Sequence, residues 1–378
     1  MRMAMGWKNR WMRLCLASLA LVLAACASTD RPKPSPLVAN PASMAVRPLW
    51  SKAIGPVGFP LDVRVVAGKV MVAASNGTVA ALEPESGADI WRTNVGGTLS
   101  AGVGSDGRFS AVVNTENELV VLENSTVIWR QRLNGLTVTA PLVVGARVFT
   151  LSTDRSVAAF DVVSGRKLWQ QQRSGDSLVL RQPGLMLAVG DTLVVGLGGR
   201  LVGMNPLNGS SRWEVPIATG RGTNEVERLV DLVGGYSRLG DQVCVRSFQS
   251  AVACVDAATG RSLWSRPATG STGLQGDATT LFGTESDSKL LAWKRSDGER
   301  LWITDQYKYR ALTAPALAGR TLVVGDEAGW VHFLSRADAT PLNRVQTDGS
   351  PIAVAPVVVG NSVVVVTSKG GVFGFQTE

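Results

Sequence analysis

Tryptophan punctuates this chain at a nearly constant interval. It stands at positions 91, 129, 169, 213, 264 and 302, with Asn343 in the next place, giving steps of 38, 40, 44, 51, 38 and 41 residues. A unit of about 40 residues holding several short strands is the size of one β-propeller blade. Around each tryptophan a smaller pattern recurs: a polar residue, a glycine four positions on, and the tryptophan four positions after that. Asp161, Gly165 and Trp169 in "VAAFDVVSGRKLWQQ" keep it, as do Glu83–Gly87–Trp91, Asn205–Gly209–Trp213, Asp256–Gly260–Trp264 and Lys294–Gly298–Trp302. In "VLENSTVIW" the pattern is two residues shorter and lacks its glycine, and in the seventh copy Ala339 and Asn343 replace glycine and tryptophan. Because the polar member drifts to Asn or Lys, it is not a catalytic constant. The glycine is expected to supply a positive φ in a turn, and the tryptophan to pack between blades.

Upstream of each copy runs a "G-x-x-V-V-V" strand signal, as in "GDTLVVG" and "GRTLVVG". Eight such starts occur, at Gly68, Gly107, Gly145, Gly190, Gly240, Gly276, Gly319 and Gly360. The last unit stops before its tryptophan strand, whereas "RPLWSKAIG" carries Trp50 with no strands before it. The expectation is an all-β, eight-bladed propeller of four-stranded blades over residues 47–378, with the N-terminal strand closing the eighth blade. Closure of this kind removes an exposed sheet edge.

The first 25 residues hold Arg2, Lys8, Arg10 and Arg13 and no acid. An apolar run from Leu14 to Ala25 follows, shorter than the roughly 18 residues a membrane-spanning helix needs, in the layout of a secretory signal. It ends "LAAC", Leu23 to Cys26, which resembles a bacterial lipobox with Cys26 as the residue to be acylated. The alternative is an ordinary signal with an incidental cysteine. Residues 1–25 are thus read as a lipoprotein signal, and 26–46, with "ASTDRPKPSPLVANPAS", as an acylated anchor and flexible tether. Multiple acyl chains on Cys26 would anchor the chain stably, and Ala27 after the cysteine matches the sorting pattern of the outer membrane's periplasmic face.

Formal charge is +8, but removing the four cations of the signal leaves +4, spread along the chain. No basic run with interleaved aromatics supports nucleic-acid binding. The chain's only histidine is His332, in the strand-like "WVHFL", which reads as a packed ring. No Ser-His-Asp set and no metal-ligand cluster can be assembled around it. "GVGSDG", Gly102 to Gly107, matches a dinucleotide glycine pattern, but a strand-like "RFSAVVN" follows where a helix is needed. Of four cysteines, Cys15 lies in the signal, and Cys244 and Cys254 sit symmetrically about Gln249 on the arms of an expected hairpin. They can form a cross-strand disulfide in an oxidising compartment or remain two buried thiols.

Two repeat steps exceed the rest. One holds "QQQRSGDSLVLRQPGLML" and the other "VPIATGRGTNEVERLVDLVGGYSRLG", and long connections on a compact repeat are the default place for binding. "TNEVERLVD" is compatible with a short helix capped by Asn224 with Glu227 three residues later. Drift without a role is the equal alternative for either loop.

The tryptophan repeat is similar to that of quinoprotein alcohol and glucose dehydrogenases, which hold pyrroloquinoline quinone and calcium with adjacent cysteines, a catalytic aspartate and calcium ligands on insertions. Here the mature cysteines are ten apart and the insertions small. Over signal, tether and all eight repeats the chain more closely resembles the BamB family of outer-membrane assembly lipoproteins. The specific stretches are "SLVLRQPG", "TNEVERLVDL", "LTAPALAGRTLVVGDEAGWVHFLSRADATPL" and "GGVFGF". The resemblance implies a non-enzymatic subunit, with no cofactor beyond covalent lipid, that docks on the periplasmic POTRA domains of BamA and assists unfolded outer-membrane proteins. It also implies a docking Leu-x-Leu-Arg loop, matched by Leu178, Leu180 and Arg181, and two acids in the next blade's loop. Asp231 matches the first acid, and Val233 stands at the second. Leu178 and Leu180 can anchor a partner or face inward, and Arg181 can meet a partner carboxylate or pair with Asp231. Assistance could be geometric, or blade edges could pair with client strands. A periplasmic quinoprotein and a sugar- or peptidoglycan-binding propeller are the competing classes.

Overall fold

The computed structural model describes residues 32–173, 178–220 and 222–377. The signal segment and Cys26 lie outside the described residues. The described residues form eight four-stranded antiparallel sheets. In blade 1 the strands, from the channel outward, are Arg64–Val66, Lys69–Ala73, Thr78–Leu82 and Asp89–Asn94. Blades 2 to 7 repeat this order, and the outer strand of blade 8 is Val46–Ala53, paired with Gly371–Thr377. The expected closure of the eighth blade by the N-terminal strand is therefore present. A repeat is nothing more than one blade, and the connections from each outer strand to the next inner strand all fall on one face of the ring.

The middle strands are buried on both sides. "TVAAL" of blade 1 and "SVVVV" of blade 8 have every residue buried, as the near-continuous apolar runs require. Eight apolar clusters fill the clefts between adjacent blades. Val112, Val120 and Leu122 of blade 2 meet Met71, Val79 and Ala81 of blade 1, and Val363, Val365 and Phe375 of blade 8 meet Val323, Val331 and Phe333 of blade 7. Each blade thus completes its core only with both neighbours in place.

The recurring motif is the clasp across those clefts. Trp169 stands opposite Ala159 in its own sheet, and a one-residue bulge at Leu168 turns the outer strand. The same register shift precedes each tryptophan, and a small residue faces most of them: Ala81, Ala159, Gly203, Cys254, Ala292 and Gly374. The indole then reaches the next blade. Its Nε1 donates to the carbonyl of Pro206 at 2.9 Å, and the pattern repeats from Trp50 to Pro84, Trp129 to Val162, Trp264 to Arg295 and Trp302 to Arg336 at 2.8–3.2 Å. Its ring lies on the motif glycine of that blade. A methyl group on Gly298, whose φ is +73°, would stand 2.5 Å from Trp264. The Trp213 ring is seated on Gly260 in the same way without completing the hydrogen bond. The polar member of the motif caps the turn. Asp161 Oδ1 accepts hydrogen bonds from the Val163 and Ser164 N–H groups and the Ser164 hydroxyl, which hold its carboxyl below the usual range.

Asn343 follows from the same geometry. A blade 7 tryptophan would need the turn between the third and fourth strands of blade 8, and no such turn exists because the fourth strand comes from the other end of the chain. Asn343 faces the bulky Phe333 instead and donates from Nδ2 to the Met44 carbonyl at 2.7 Å. Part of the stretch expected to be flexible tether, residues 35–44, is docked on the propeller instead. The propeller unit begins at Ser35, because residues 35–44 lie along blade 7, held by its unpaired outer edge. Cys244 and Cys254 are directly opposed on neighbouring strands of blade 5 and joined by a disulfide, with Cα atoms 4.0 Å apart. The "GVGSDG" glycines serve packing: Gly104 lies on the inner strand of blade 2, where a methyl would strike the Pro141 carbonyl.

Both halves of the clasp are testable. Trp264→Ala should cost about 3–5 kcal/mol. Gly298→Ala should cost more than the 1–2 kcal/mol of an ordinary left-handed residue, because the indole must also move. Urea unfolding followed by circular dichroism measures both. A neutral Gly298→Ala would show that the turn is not a platform.

Candidate functional site

Two of the interblade connections are stitched into a single surface. "LVLRQPG", residues 178–184, leads from blade 3 into blade 4, and residues 217–236 lead from blade 4 into blade 5. Gly184 bridges Val233. Gly234 N–H donates to the Pro183 carbonyl at 2.6 Å, and Gly184 N–H donates to Thr139 Oγ1 at 2.8 Å. The Asp231 carboxylate accepts from the Leu180 N–H at 2.9 Å, and its carbonyl accepts from Phe248 N–H at 2.9 Å. Asp231 is thereby committed to positioning the Leu-x-Leu-Arg loop, and it makes no ion pair with Arg181. The Arg181 side chain is exposed and has no hydrogen-bond or ion-pair partner among the described residues.

The leucines divide between two clefts. Leu178 is exposed and lines a cleft of about 350 Å³ together with Arg155, Arg173, Arg200 and Arg228. Leu180 is half-buried beside Val179 in a narrower groove of about 60 Å³ bounded by Val138, Leu151 and Leu232. The loop therefore offers Leu178 and Arg181 outward and spends Leu180 partly on its own seating. Val233, at the place of the second acid, is buried and hydrogen-bonds the Arg246 carbonyl through its N–H at 3.1 Å.

"TNEVERLVD" makes one capped turn where a short helix was expected. Asn224 Oδ1 accepts from Glu227 N–H at 2.9 Å, and Glu227 Oε2 accepts from Thr223 N–H at 2.8 Å, a reciprocal capping box. Those bonds hold the Glu227 carboxyl below its usual range. The turn ends at the Leu229 N–H to Val226 carbonyl bond, because Val230 to Val233 are drawn into pairing with blades 4 and 5. It leaves Val226 70% exposed at the tip, beside the Leu178 cleft. Sequence reasoning missed Val226, although an isolated valine between polar residues on a long insertion was the available signal.

Beneath this surface Arg246 is fully buried. Its guanidinium donates to the Thr284 carbonyl and to Glu285 at 3.3 Å and lies over Trp293. Burial pushes its pKa down to about 10, so it remains charged at neutral pH. A buried charge of this sort is stable only with its partner present, and it ties blade 5 to blade 6 under the docking loops.

The remaining candidates do not assemble chemistry. His332 is buried, with Nε2 3.0 Å from Asp326 Oδ2, Arg310 on the same carboxylate at 2.8 Å and Tyr307 edge-on. The mouth of the central channel is a cavity of about 400 Å³ lined by small residues and by Asp62, Arg64 and Tyr236. Asp62 pairs with Arg64 at 2.9 Å, and its charge raises the Arg64 pKa against the effect of burial. Among the described residues no group of three or more His, Cys, Asp or Glu side chains could hold a metal ion. One carboxylate already neutralised by arginine does not fit a quinone and calcium, and the disulfide lies inside blade 5, away from the channel residues.

Fold and surface together define an eight-bladed propeller of PQQ-like repeats whose distinctive feature is a rim of stitched loops. A family model described as "Outer membrane protein assembly factor BamB" matches residues 75–304. Outer membrane protein assembly factor BamB of Burkholderia pseudomallei is 37% identical over 366 residues, covering 95% of this chain and 96% of that one. The chain belongs to the BamB family of outer membrane protein assembly factors. In fold it is similar to the crystal structure of BamB from Moraxella catarrhalis, with a TM-score of 0.79 at 22% identity, over 88% of this chain and all of that one. It is also similar in fold to quinohemoprotein alcohol dehydrogenase from Comamonas testosteroni, at a TM-score of 0.68 and 14% identity over 89% and 77% of the two chains.

The buried histidine sets a pH dependence. Desolvation, opposed by Asp326, lowers the His332 pKa below its ordinary 6.5. The unfolded chain therefore binds the proton first as pH falls below that value, and stability is lost with acidification. Between about pH 7.5 and about pH 5 the melting temperature should fall, and His332→Gln should flatten the decline. An unchanged slope in the variant would exclude His332 as its source.

Proposed function

We propose that this chain is a non-enzymatic binding subunit of the machinery that assembles outer-membrane β-barrels, anchored to the periplasmic face of the outer membrane by lipid on Cys26 and docked on the POTRA domains of BamA. The observation that carries the docking reading is the stitched loop pair: an exposed Arg181, without a partner among the described residues, near Leu178 on a backbone fixed by Asp231. An arginine beside an apolar anchor on a rigid loop is the composition of a binding hot spot. In this reading Leu178 and Arg181 touch the partner, with Val226 extending the contact, while Leu180 and Asp231 hold the loop in shape. Membership of the BamB family supports the role in assembly, and the neutralised channel carboxylate supports its being non-enzymatic.

Client strands would meet the ring at its outer edges. Blade 6 offers the most exposed apolar pair on an outer strand, Leu301 and Ile303 at 50% and 45%, with one charge, Arg300, at its start. The outer strands of blades 4 and 5 end in Pro216 and Pro267, and that of blade 2 carries Arg130 and Arg132. Proline and charge are the usual blunting devices of edge strands, so blade 6 is the edge best suited to an extended apolar segment.

Binding of residues 27–378 to BamA's periplasmic domains tests the first part. Arg181→Glu should weaken it about ten- to a hundredfold with the fold intact, and equal binding would move the site elsewhere. For clients, a photocrosslinker at Ile303 should capture unfolded outer-membrane protein where one at Arg130 does not. Adducts with BamA alone would remove the client contact.

A further inference from the structure

Residues 35–44 do more than link a tether to a propeller. Val46 starts its strand on the ring face that carries the tight turns, opposite the face of the interblade connections. From there back to Ser35 the chain climbs blade 7. Ser43 N–H donates to the Leu342 carbonyl at 2.9 Å, and Asn40 Nδ2 donates to Asn343 Oδ1 at 3.0 Å and to the Arg344 carbonyl at 3.1 Å. Arg344 donates to the Val38 carbonyl at 3.3 Å, Arg310 donates to the Ser35 carbonyl at 3.0 Å, and Ser35 N–H donates to the Lys308 carbonyl at 2.9 Å. Leu37 packs on the Tyr307 and Leu312 cluster, and Met44 packs on that of Val323 and Val363. Pro36 and Pro41 pre-extend the segment, which lowers the entropic cost of laying it down. Lys308 lies in the connection from blade 6 to blade 7, on the same face as the Leu178–Gly184 loop and three blades round the ring from it.

We propose that Ser35–Met44 is an orienting strap toward a lipid surface: it carries the tether's exit from the turn face to the connection face and holds the blade 6–blade 7 rim, rather than the rim of the docking loops, next to the membrane. This rests on the reading of Cys26 as a lipid anchor. Chain length decides the matter. From Cys26 to Val46 an unstrapped tether would reach about 70 Å, whereas from Cys26 to Ser35 no path exceeds about 30 Å. Two blades of four strands at about 4.8 Å spacing make the ring about 40 Å across even without its channel. Three of eight blade steps round a ring of that width put the Leu178–Gly184 loop farther from Ser35 than the tether can reach, whereas an unstrapped ring could present any side.

The test uses the full lipidated protein in phosphatidylethanolamine–phosphatidylglycerol vesicles carrying a headgroup energy-transfer acceptor. A donor is placed on Asp305→Cys (strap rim, connection face), Glu225→Cys (docking rim) or Asp338→Cys (blade 7, turn face), all exposed positions. Transfer should be highest from Asp305→Cys, by about twofold or more given the distances involved. Inserting about ten Gly/Ser residues after Lys33 leaves the propeller untouched and should make the three signals converge, as should Asn40→Ala with Arg344→Ala. Equal transfer in retained protein before the insertion, or highest transfer from Asp338→Cys, overturns the strap while leaving the anchor. Protein that washes off the vesicles overturns the anchor reading and the strap with it, and leaves the docking loops to their own binding assay.

Discussion

The structure depends on the seat that a blade provides for its neighbour's tryptophan. A blade alone is a four-stranded sheet with apolar residues on both faces of its middle strands, so it has no stable existence outside the ring. The indole supplies direction to an interaction that burial alone leaves free to slide. It lies on a glycine that has no Cβ to obstruct it, and it donates its N–H to a carbonyl one blade further round. The bulge before the tryptophan aims it outward and sideways, and the small residue opposite makes room. Where these parts are present, the blade-to-blade rotation is fixed with them, and eight blades return to the start. The carboxylate of the motif tightens the turn that presents the glycine, so its replacement by Asn or Lys in some copies is tolerated.

The link missing between blades 7 and 8 follows directly from the geometry of the clasp. Blade 8 takes its outer strand from the N-terminal end, so the turn that would seat a blade 7 tryptophan is absent. Asn343 stands there, and the incoming chain uses it as a hydrogen-bond partner. The closure that protects the ring from an open edge therefore creates a gap in the clasp. The strap occupies that gap. Ring closure and the path of the tether are two results of one topological fact.

This division explains what was legible in the sequence. The blades were, because every part of the clasp recurs at short range: glycine four before tryptophan, valine run upstream, polar cap before both. The eight-blade count and the shared last blade followed from bookkeeping of those parts. The hold of Asp231 on the Leu178–Gly184 loop was not legible, because its partner, the Leu180 N–H, lies fifty-one residues away and is a backbone group. The strap was misread as tether because proline-rich composition describes stiffness, whereas docking is decided by Asn343, Arg344 and Arg310, some three hundred residues downstream. The capped turn at Asn224 had the right local signal and the wrong extent, since tertiary pairing of Val230 to Val233 ends it. Local rules predicted what local interactions determine.

The comparison with quinoprotein dehydrogenases turns on the same distinction between frame and site. The frame is shared, and it leaves a funnel at the channel mouth whatever the sequence. In this chain the funnel's carboxylate, Asp62, already faces Arg64, so bringing in a divalent cation would require breaking that pair at no gain. The two cysteines are spent inside blade 5, opposite each other and beside Trp264, where they close a hairpin loop worth about 3 kcal/mol of chain entropy and cannot meet a channel ligand. What the frame gains instead is length in two connections on one rim. Those connections are fastened to each other, to Thr139 of blade 3 and to Arg246 of blade 5, which is itself fixed to Glu285 of blade 6. A loop held across four blades loses little conformational freedom when a partner arrives, so its exposed Leu178 and Arg181 can contribute nearly their full contact energy. In the docking role proposed above, rigidity in the ring is what would let so small an exposed set suffice.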